Sequence, residues 1–195
     1  MKTTTLSFEN MHVHGELFAN LLRARRQSFI VQNKWNLPEA DGMEYDQYDT
    51  PASRWIAVHE FGEILAGIRL TPTTARCGIY SYMIRDAQKG LLDSIPRDLL
   101  SFEAPVAQHI WESSRVFVSH KVEAKNRMRV QANLMGEMIS AARILGATQI
   151  LGLVPGVWSR WIGRLGLDAE PAGPKMDIDG VETQVAMMQL ASNLH

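Results

Sequence analysis

The sequence predicts a mixed α/β fold in which helices pack against a sheet as a sandwich. Apolar residues recur at helical spacing in residues 16–30 and 126–145, whereas short β-prone runs bounded by turn formers lie between and after these segments. No internal repeat, low-complexity tract or linker divides the chain. We therefore expect a single domain spanning residues 1–195.

The N-terminal half is predicted to hold one helix, one long loop and one β-hairpin. In residues 16–30, apolar side chains are interleaved with arginines at helical spacing, which indicates an amphipathic helix. Residues 34–50 are polar and aperiodic, and loops of that length inside a domain are usually functional. Residues 55–59 and 64–70 are β-prone runs separated by a turn at Gly62, as in a hairpin.

The C-terminal half is predicted to alternate strands with helices. Residues 84–100 indicate irregular helical structure, and Trp111 with residues 116–118 indicates a strand. Residues 126–145 are predicted to form the longest helix, which closes at Gly146. The remaining predicted elements are a strand at 150–154, a helix at 158–165 ending at Gly166, and a strand at 181–190 separated from that helix by Pro171 and Pro174.

Composition and charge exclude several classes of protein. Hydrophobic residues make up 46% and charged residues 21% of the chain, which is typical of a globular protein rather than a disordered or membrane protein. The formal net charge of -1 provides no overall cationic field for nucleic acid. We expect neither nucleic acid nor a membrane as a partner.

The single cysteine and the scattered histidines argue against disulfides and metal sites. Cys77 has no second cysteine to pair with and no evident base beside it, so we assign it no catalytic role. The six histidines show no spacing such as His-Glu-x-x-His. The N-terminal segment lacks the apolar core of a signal peptide, and no run has membrane-spanning length. We expect a cytoplasmic protein without a metal ion.

The long loop carries a group of carboxylates. If the segment around Tyr45 is extended, alternation sends Glu44 and Asp46 to one side and the tyrosine to the other, so that two carboxylates converge. The alternative is a solvated acidic loop, because charged residues are mostly exposed.

Arginines and aromatic residues complement these carboxylates. Arg25 and Phe29 lie four residues apart on the first predicted helix and therefore share a face. Arg69 lies within an apolar run, where an unpaired guanidinium would be costly to bury, so it requires a carboxylate. Glu112 and Arg115 flank two serines beside another β-prone run. Taken singly, each charged pair could be a structural ion pair.

Together these residues resemble the LuxI-type acyl-homoserine-lactone synthases. The match covers about Arg25 to Gly166 and implies a GNAT-like α-β-α sandwich with a central mixed, mostly antiparallel sheet. One departure is Val116, because the family usually has an aromatic residue directly after the Ser-Arg pair. The motifs, in order, are Arg25-x-x-x-Phe29, Trp35, Glu44-x-Asp46-x-x-Asp49-Thr50, Arg69-Leu70-x-Pro72-Thr73 and Trp111-Glu112-x-Ser114-Arg115.

The resemblance implies a reaction between two substrates without a cofactor. The amine of S-adenosylmethionine attacks an acyl thioester of acyl carrier protein or coenzyme A, and the methionine carboxylate then closes a lactone and displaces methylthioadenosine. Backbone amides near residues 114–117 would stabilise the oxyanion. The residues expected to bind S-adenosylmethionine are Arg25, Phe29, Trp35, Asp46 and Asp49.

The catalytic residues implied by the resemblance are Glu44, Glu112, Arg69 and Arg115. Nearby carboxylates stabilise the ammonium form of the substrate, so Arg25 and Arg69 are expected to neutralise part of the acidic group. Glu44, acting directly or through a water molecule, is then available as the general base. Glu112, oriented by Arg115, is the competing candidate, and the sequence does not decide between the two.

The acyl group and its carrier are expected near the long helix. Family members that make 3-oxo-acyl products often carry a threonine at the approximate position of Gly152, so we expect an acyl group without a 3-oxo substituent. The expected acyl-pocket residues are Met135, Met138, Ile139, Gly152, Leu153 and Trp158, with Trp161 also available. The basic residues expected to bind the phosphopantetheine or the coenzyme A phosphates are Lys121, Lys125, Arg127 and Arg129, although a solvated basic face explains them equally well.

Two other functions fit the same fold. A GNAT-like N-acyl amino acid synthase, or another N-acyltransferase, would use an acyl thioester without consuming S-adenosylmethionine. A non-catalytic small-molecule sensor would bind a ligand without turnover and would not require intact carboxylates.

Overall fold

The computed structural model describes residues 1–190, apart from the side chain of Trp161. These residues form a mixture of helices and strands. The helices are α1 (Leu17–Arg26), α2 (Met83–Gln88), α3 (Ala124–Ile144) and α4 (Trp158–Arg164). The strands are β1 (Lys2–Leu6), β2 (Glu39–Ala40), β3 (Met43–Glu44), β4 (Arg54–Glu60), β5 (Glu63–Pro72), β6 (Ile110–Val118), β7 (Gln149–Pro155), β8 (Ala169–Ile178) and β9 (Val181–Gln189).

Seven strands are hydrogen-bonded in the order β1-β4-β5-β6-β7-β9-β8, and β2 pairs with β3 separately. The pairs β1-β4, β4-β5, β7-β9 and β8-β9 are antiparallel, whereas β6 and β7 run parallel. This mixed, mostly antiparallel sheet with helices confirms the predicted GNAT-like α/β fold class.

The strongest sequence patterns correspond to observed elements. The predicted hairpin forms as β4 and β5, and the long helix α3 begins and ends within two residues of the predicted bounds. The last three predicted elements appear as β7, α4 and β9. In the 84–100 segment only α2 is helical, and the long loop contains the two-residue strands β2 and β3.

Besides the two-residue strands β2 and β3, the longer strands β1 and β8 were not predicted from the sequence. β1 pairs along its length with β4, although nothing in its threonine-rich sequence marked it as a strand. Pro171 and Pro174, predicted only to separate α4 from the last strand, lie within β8. The physical reason is that β8 is the last strand of the sheet, where a missing N–H need not face a neighbour, and its register shifts between Pro171 and Lys175.

The chain divides into two compact units. Unit 1 consists of Met1–Leu70 with Arg115–Ala141, and unit 2 consists of Thr71–Ser114 with the chain from Ala142 onward. The expectation of one domain spanning residues 1–195 stays a prediction.

The core of unit 1 brings α1 against the sheet strands. An ideal Cβ atom on Gly67 would lie 2.6 Å from Leu21 Cδ1 and 2.8 Å from Phe117 Cε1, so only glycine lets both side chains approach β5. The buried residues of this core are Leu6, Leu17, Leu21, Phe29, Trp55, Ala57, Ile64 and Phe117.

The first helix changes its geometry at its C-terminal end. Residues Gln27–Gln32 form a π-helix, so the predicted helix over residues 16–30 is an α-helix only to Arg26. The backbone N–H of Asn33 donates to the carbonyl of Ser28, and that of Trp35 donates to the carbonyl of Phe29. Such π-helical turns are rare and often occur at functional sites.

Candidate active site

Three arginines and three carboxylates of unit 1 form one buried group, which we call the arginine–carboxylate cluster. Arg25 comes from α1, Arg69 from β5 and Arg115 from β6, whereas Glu44 ends β3. The loop that follows β3 supplies the other two carboxylates. The six members are Arg25, Arg69, Arg115, Glu44, Asp46 and Asp49.

Asp49 is the most heavily hydrogen-bonded carboxylate of the cluster. Arg25 grips it with two nitrogens, at 2.7 Å from Nη1 to Oδ1 and 3.0 Å from Nη2 to Oδ2. Arg69 Nη1 lies 2.9 Å from Oδ1, and the backbone N–H of Asp46 donates to Oδ2 over 2.8 Å. The indole Nε1 of Trp55 donates to Oδ1 over 2.9 Å. Five donors fill the acceptor positions that a carboxylate offers.

Asp46 is bound by two arginines and by its own loop. Arg69 donates from Nη1 to Oδ1 over 2.5 Å and from Nη2 to Oδ2 over 3.1 Å. Arg115 Nη2 lies 2.9 Å from Oδ2, and the backbone N–H of Tyr48 donates to Oδ1. These contacts give the guanidinium of Arg69 the carboxylate partners that its apolar strand requires.

Glu44 is held at both oxygens but by fewer donors. Arg25 Nε donates to Oε2 over 2.6 Å, and Arg115 Nε donates to Oε1 over 3.0 Å. Two donors leave about two of the roughly four acceptor sites of a carboxylate unused among the contacts of the described residues. Of the three carboxylates, Glu44 therefore has the largest capacity for a further hydrogen bond.

Burial strengthens the electrostatic attraction between the charged groups of the cluster. Arg25, Arg69 and Glu44 are 1%, 0% and 0% exposed. With three positive and three negative groups, the cluster carries no formal net charge. A buried ion pair resists the loss of either partner, because the remaining charge is left uncompensated in a medium of low polarity.

The arginines keep the aspartates ionised. Burial by itself would raise the pKa of Asp46, but the positive charges of Arg69 and Arg115 outweigh it and lower the pKa. Burial has the same opposing effect on Asp49, where Arg69 and Arg25 hold the pKa far below its usual range. Burial would lower the pKa of Arg69, but the two aspartates raise it. A carboxylate with a lowered pKa is a weak general base.

The loop after β3 is fixed by its own hydrogen bonds. The backbone N–H of Asp49 donates to the carbonyl of Asp46 over 3.0 Å. The hydroxyl of Ser53, which is fully buried, donates to the carbonyl of Tyr48 over 2.6 Å. Tyr45, in contrast, is 46% exposed. The carboxylates are therefore presented by a preorganised turn rather than by a solvated acidic loop.

The backbone of β6 changes direction at Arg115. This residue has a φ of 56°, in the left-handed region that a non-glycine residue rarely occupies. The side-chain alternation of the strand is interrupted there, because Ser114 and Phe117, three residues apart, are both buried whereas Val116 is 36% exposed. The ring that the family pattern places directly after the Ser-Arg pair is thus found one residue later and inside the core.

A stacked aromatic pair adjoins the cluster. The rings of Phe29 and Trp35 are parallel within 9°, with centroids 5.1 Å apart. Phe117 packs edge-on against Phe29 at 5.8 Å, and the guanidinium of Arg115 lies 5.7 Å from the Phe29 centroid. Trp35 is 38% exposed, so this pair presents an accessible aromatic surface beside charged groups.

In unit 2, Glu112 lies at the start of α2. Its carboxylate accepts the backbone N–H of Ile84 over 2.7 Å and that of Met83 over 3.2 Å, and the residue is fully buried. A carboxylate at a helix N-terminus is stabilised by these donors and by the helix dipole. This geometry gives Glu112 a structural function as well as its predicted catalytic one.

The strand positions expected to bind the acyl group also lie in unit 2. Parallel pairing of β6 with β7 covers Ile110 to Ser113 opposite Gln149 to Gly152. An ideal Cβ atom on Gly152 would lie 2.7 Å from Ser113 Oγ, so a larger residue has no room unless the serine moves. Trp158 is buried, and its indole N–H donates to Gln184 over 3.0 Å. Leu153 is half-buried.

The other predicted residues lie on or just before α3 in unit 1. Met135 and Met138 are buried and Ile139 is half-buried. Lys121 pairs with Glu63 at 2.7 Å, and Lys125 pairs with Glu123 at 2.9 Å. The two arginines donate to Ser119 and Asn126, so Arg127 and Arg129 also have local partners. The side chain of Trp161 lies outside the described residues.

Trp55 and Tyr48 were not predicted as site residues. Trp55 is 0% exposed and contacts Asp49, and the ring of Tyr48 lies 5.6 Å from the guanidinium carbon of Arg69. A signal for Trp55 was available, because a buried indole N–H needs an acceptor and Trp55 begins a predicted apolar strand.

Within residues 1–190, no group of three or more histidine, cysteine, aspartate or glutamate side chains is placed to hold a metal ion. In the same part of the chain, no helix is long and apolar enough to span a membrane.

The chain matches the family model described as autoinducer synthase over residues 9–191. A curated acyl-homoserine-lactone synthase of Ralstonia nicotianae is 29% identical over 167 residues, which cover 83% of this chain and 76% of that protein. Another, from Acinetobacter nosocomialis, is 28% identical over 180 residues, covering 89% and 91%.

Solved structures show the same relationship. TofI, in a ternary complex with an inhibitor and MTA, superposes with a TM-score of 0.78 at 26% identity, over 98% of this chain and 93% of that chain. LasI, an AHL synthase, has a TM-score of 0.80 over 97% and 90%, and its 20% identity supports the fold alone. Because the family model matches residues 9–191, nearly the whole chain, this chain belongs to the autoinducer synthase family.

Proposed function

We propose that the chain transfers an acyl group from a thioester to the amine of S-adenosylmethionine and closes the product to an acyl-homoserine lactone. The observation that carries this proposal is the neutral, buried arginine–carboxylate cluster next to the stacked pair of Phe29 and Trp35. The family membership and the names of the relatives support the same reaction.

S-Adenosylmethionine requires a site that accepts a sulfonium cation. The exposed ring of Trp35 suits this cation through cation-π attraction, and the buried ring of Phe29 stacks against Trp35 and supports it. Asp46 adds a carboxylate, and Arg25 balances the negative charge of the loop. We therefore retain these residues as the binding group. Asp49, whose acceptor positions are filled, fits better as a group that orients the arginines.

Glu44 is the proposed general base. It accepts two hydrogen bonds, whereas Asp46 and Asp49 accept four and five. A remaining acceptor site can receive the substrate ammonium or a water molecule. A positioned base typically contributes about 10²–10⁴ in rate. Glu112 remains the competing base, and its two bonds to α2 argue for a positioning function instead.

The bond changes balance without a further reactant. The substrate ammonium loses one proton to the base, and the resulting amine forms a bond to the thioester carbonyl carbon. The nitrogen then loses a second proton as the carbon–sulfur bond to the carrier breaks, and the departing sulfur takes up that proton and leaves as a thiol. The methionine carboxylate oxygen then bonds to the carbon attached to the sulfonium, and methylthioadenosine leaves with the electron pair of that second carbon–sulfur bond. No cofactor is proposed.

The oxyanion of the first step needs preorganised donors. We propose the backbone N–H groups of residues 114–117, because the left-handed conformation of Arg115 turns successive peptide groups away from regular strand geometry. Arg69 and Arg115 are proposed to orient the carboxylates. Because Arg115 lies on the strand that carries the proposed N–H donors, its conformation affects both these donors and the carboxylates.

The residues predicted to contact the acyl group are retained in this proposal, each in its own unit: Met135, Met138 and Ile139 in unit 1, and Gly152, Leu153 and Trp158 in unit 2. Gly152 stands at the approximate position where family members that make 3-oxo-acyl products often carry a threonine, which supports an acyl group without a 3-oxo substituent. The donor is an acyl thioester of acyl carrier protein or coenzyme A. Four basic residues before and on α3 are proposed to contact its phosphate: the exposed Lys121, Lys125 and Arg129 and the half-buried Arg127.

We also propose a cytoplasmic location, which the single unpaired cysteine favours because reducing compartments keep thiols free.

The decisive experiment for the proposed reaction incubates the purified chain with S-adenosylmethionine and a series of acyl thioesters on both carriers. Mass spectrometry is expected to detect methylthioadenosine and an acyl-homoserine lactone in equal amounts. If neither product forms from any of the thioesters, the proposal is overturned. An acylated amine without methylthioadenosine would indicate a different N-acyltransferase.

A further inference from the structure

Trp55 lies at the junction between the apolar core of unit 1 and the arginine–carboxylate cluster. It is 0% exposed, and in the antiparallel register of β4 and β5 it stands directly opposite Arg69. Residues opposite each other in such a pair project to the same face of the sheet. Trp55 and Arg69 therefore reach the same carboxylate, Asp49, from neighbouring strands.

The indole is fixed from both ends. Its Nε1 donates to Asp49 Oδ1 over 2.9 Å. Its rings pack edge-on against Phe18 at 4.8 Å between centroids, and Phe8 lies at 5.7 Å. Since a tryptophan side chain has one polar hydrogen, Asp49 receives the single hydrogen bond that the indole can donate.

The oxygen that receives this hydrogen bond is shared. Asp49 Oδ1 also lies 2.7 Å from Arg25 Nη1 and 2.9 Å from Arg69 Nη1. A rotation of this carboxylate would move the partner atom of both guanidinium groups. The indole N–H opposes that rotation, and unlike a third arginine it does so without adding a charge.

We propose that Trp55 is a positioning residue for the S-adenosylmethionine site. It holds Asp49, and Asp49 in turn sets the two guanidinium groups that balance the charge of the acidic loop. This inference rests on the proposed function, and it assigns Asp49 to orientation of the arginines rather than to contact with the substrate.

The test compares Trp55→Phe with Phe18→Leu, and wild-type lactone formation must be established first. Trp55→Phe retains a ring for packing and removes the donor, whereas Phe18→Leu disturbs the packing and leaves the donor in place. A hydrogen bond to a charged acceptor contributes enough to expect a roughly tenfold rise in the KM for S-adenosylmethionine in Trp55→Phe. The KM for the acyl thioester should stay within about twofold of the wild-type value, because only one substrate site is affected.

Trp55→Tyr is the second variant, since its hydroxyl can donate a hydrogen bond from a similar ring. Its KM for S-adenosylmethionine should lie closer to the wild-type value than that of Trp55→Phe. Phe18→Leu should lower the melting temperature with little change in either KM. The proposal is overturned if Trp55→Phe leaves both KM values unchanged, or if Trp55→Phe and Phe18→Leu lower only kcat and the melting temperature in parallel. An inactive wild-type protein would instead refute the proposed function.

Discussion

Arg69→Met is the most informative single perturbation of the arginine–carboxylate cluster. The guanidinium of Arg69 is fully buried and contacts both Asp46 and Asp49. Methionine fills a similar space without charge, so the cluster would change from no net charge to one net negative charge. Asp46 would keep Arg115 as a partner and Asp49 would keep Arg25, but both aspartates would lose Arg69.

The expected loss of stability follows from this burial. Removing one partner of a buried ion pair costs about 3–5 kcal/mol, because the remaining charge is uncompensated. This is a large part of the total of about 5–15 kcal/mol available to a typical domain. We therefore expect the free energy of unfolding at pH 7 to fall by about 3–5 kcal/mol, and lactone formation to be lost.

The assay is urea unfolding of wild type and variant, followed by circular dichroism. Arg23→Met is the matched control, because the side chain of Arg23 is 48% exposed and pairs with Glu16 at 3.1 Å on the surface. An exposed pair contributes about 0–1 kcal/mol, so this control should stay near the wild-type stability. Equal losses in the two variants, or a loss below about 1 kcal/mol in Arg69→Met, would refute the reasoning.

The pH dependence provides a second check with a fixed sign. The pKa values of Asp46 and Asp49 are lower in the folded protein than their ordinary values. Their stabilising contribution is therefore complete above the unfolded-state pKa of about 3.9, and it decreases as the pH falls toward the folded-state values. The stability difference between wild type and Arg69→Met should be constant from about pH 5 to 7 and should shrink below about pH 4.

Three further predictions concern single residues. Glu44→Gln should reduce lactone formation by about 10²–10⁴-fold, measured by mass spectrometry, with an unchanged circular dichroism spectrum. Gly67→Ala should lower stability by about 1–3 kcal/mol in urea unfolding, because the new methyl group meets Leu21 and Phe117. Trp35→Ala should raise the KM for S-adenosylmethionine by about two- to thirtyfold, the value of a cation-π contact of about 0.5–2 kcal/mol.

Each of these has an outcome that contradicts it. Glu44→Gln with wild-type turnover would transfer the base to another residue, and the same substitution at Glu112 would then be tested. Gly67→Ala with wild-type stability would mean that the core beside β5 can expand. A Trp35→Ala variant whose KM rises equally for the acyl thioester would show that the ring does not act on the sulfonium substrate alone.

Local patterns in the sequence predicted most of the elements that position the site. The hairpin of β4 and β5 follows from two β-prone runs around Gly62, and α3 follows from apolar periodicity that closes before Gly146. β8 could not be predicted this way, because its prolines are tolerated only through its place at the edge of the sheet. β1 is stabilised by its pairing with β4, which no local signal records.

The candidate site divides in the same manner. An arginine in an apolar run demands a carboxylate whatever the fold, so the need of Arg69 for a partner was readable from the sequence. Which carboxylates pair with Arg69 depends on how residues far apart in the chain are brought together, as in the contact of Arg69 with Asp46. Several arrangements of three arginines and three acids satisfy the composition equally well.

The sequence by itself determined the family pattern, the residue types of the site and the requirement that buried charges balance. Only the tertiary structure decided that Asp49 is saturated with donors, that Trp55 supplies one of them, and that Arg115 adopts a left-handed conformation. The physical reason is that hydrophobic periodicity and charge are properties of the chain, whereas hydrogen-bond geometry is set when separate strands and helices pack together.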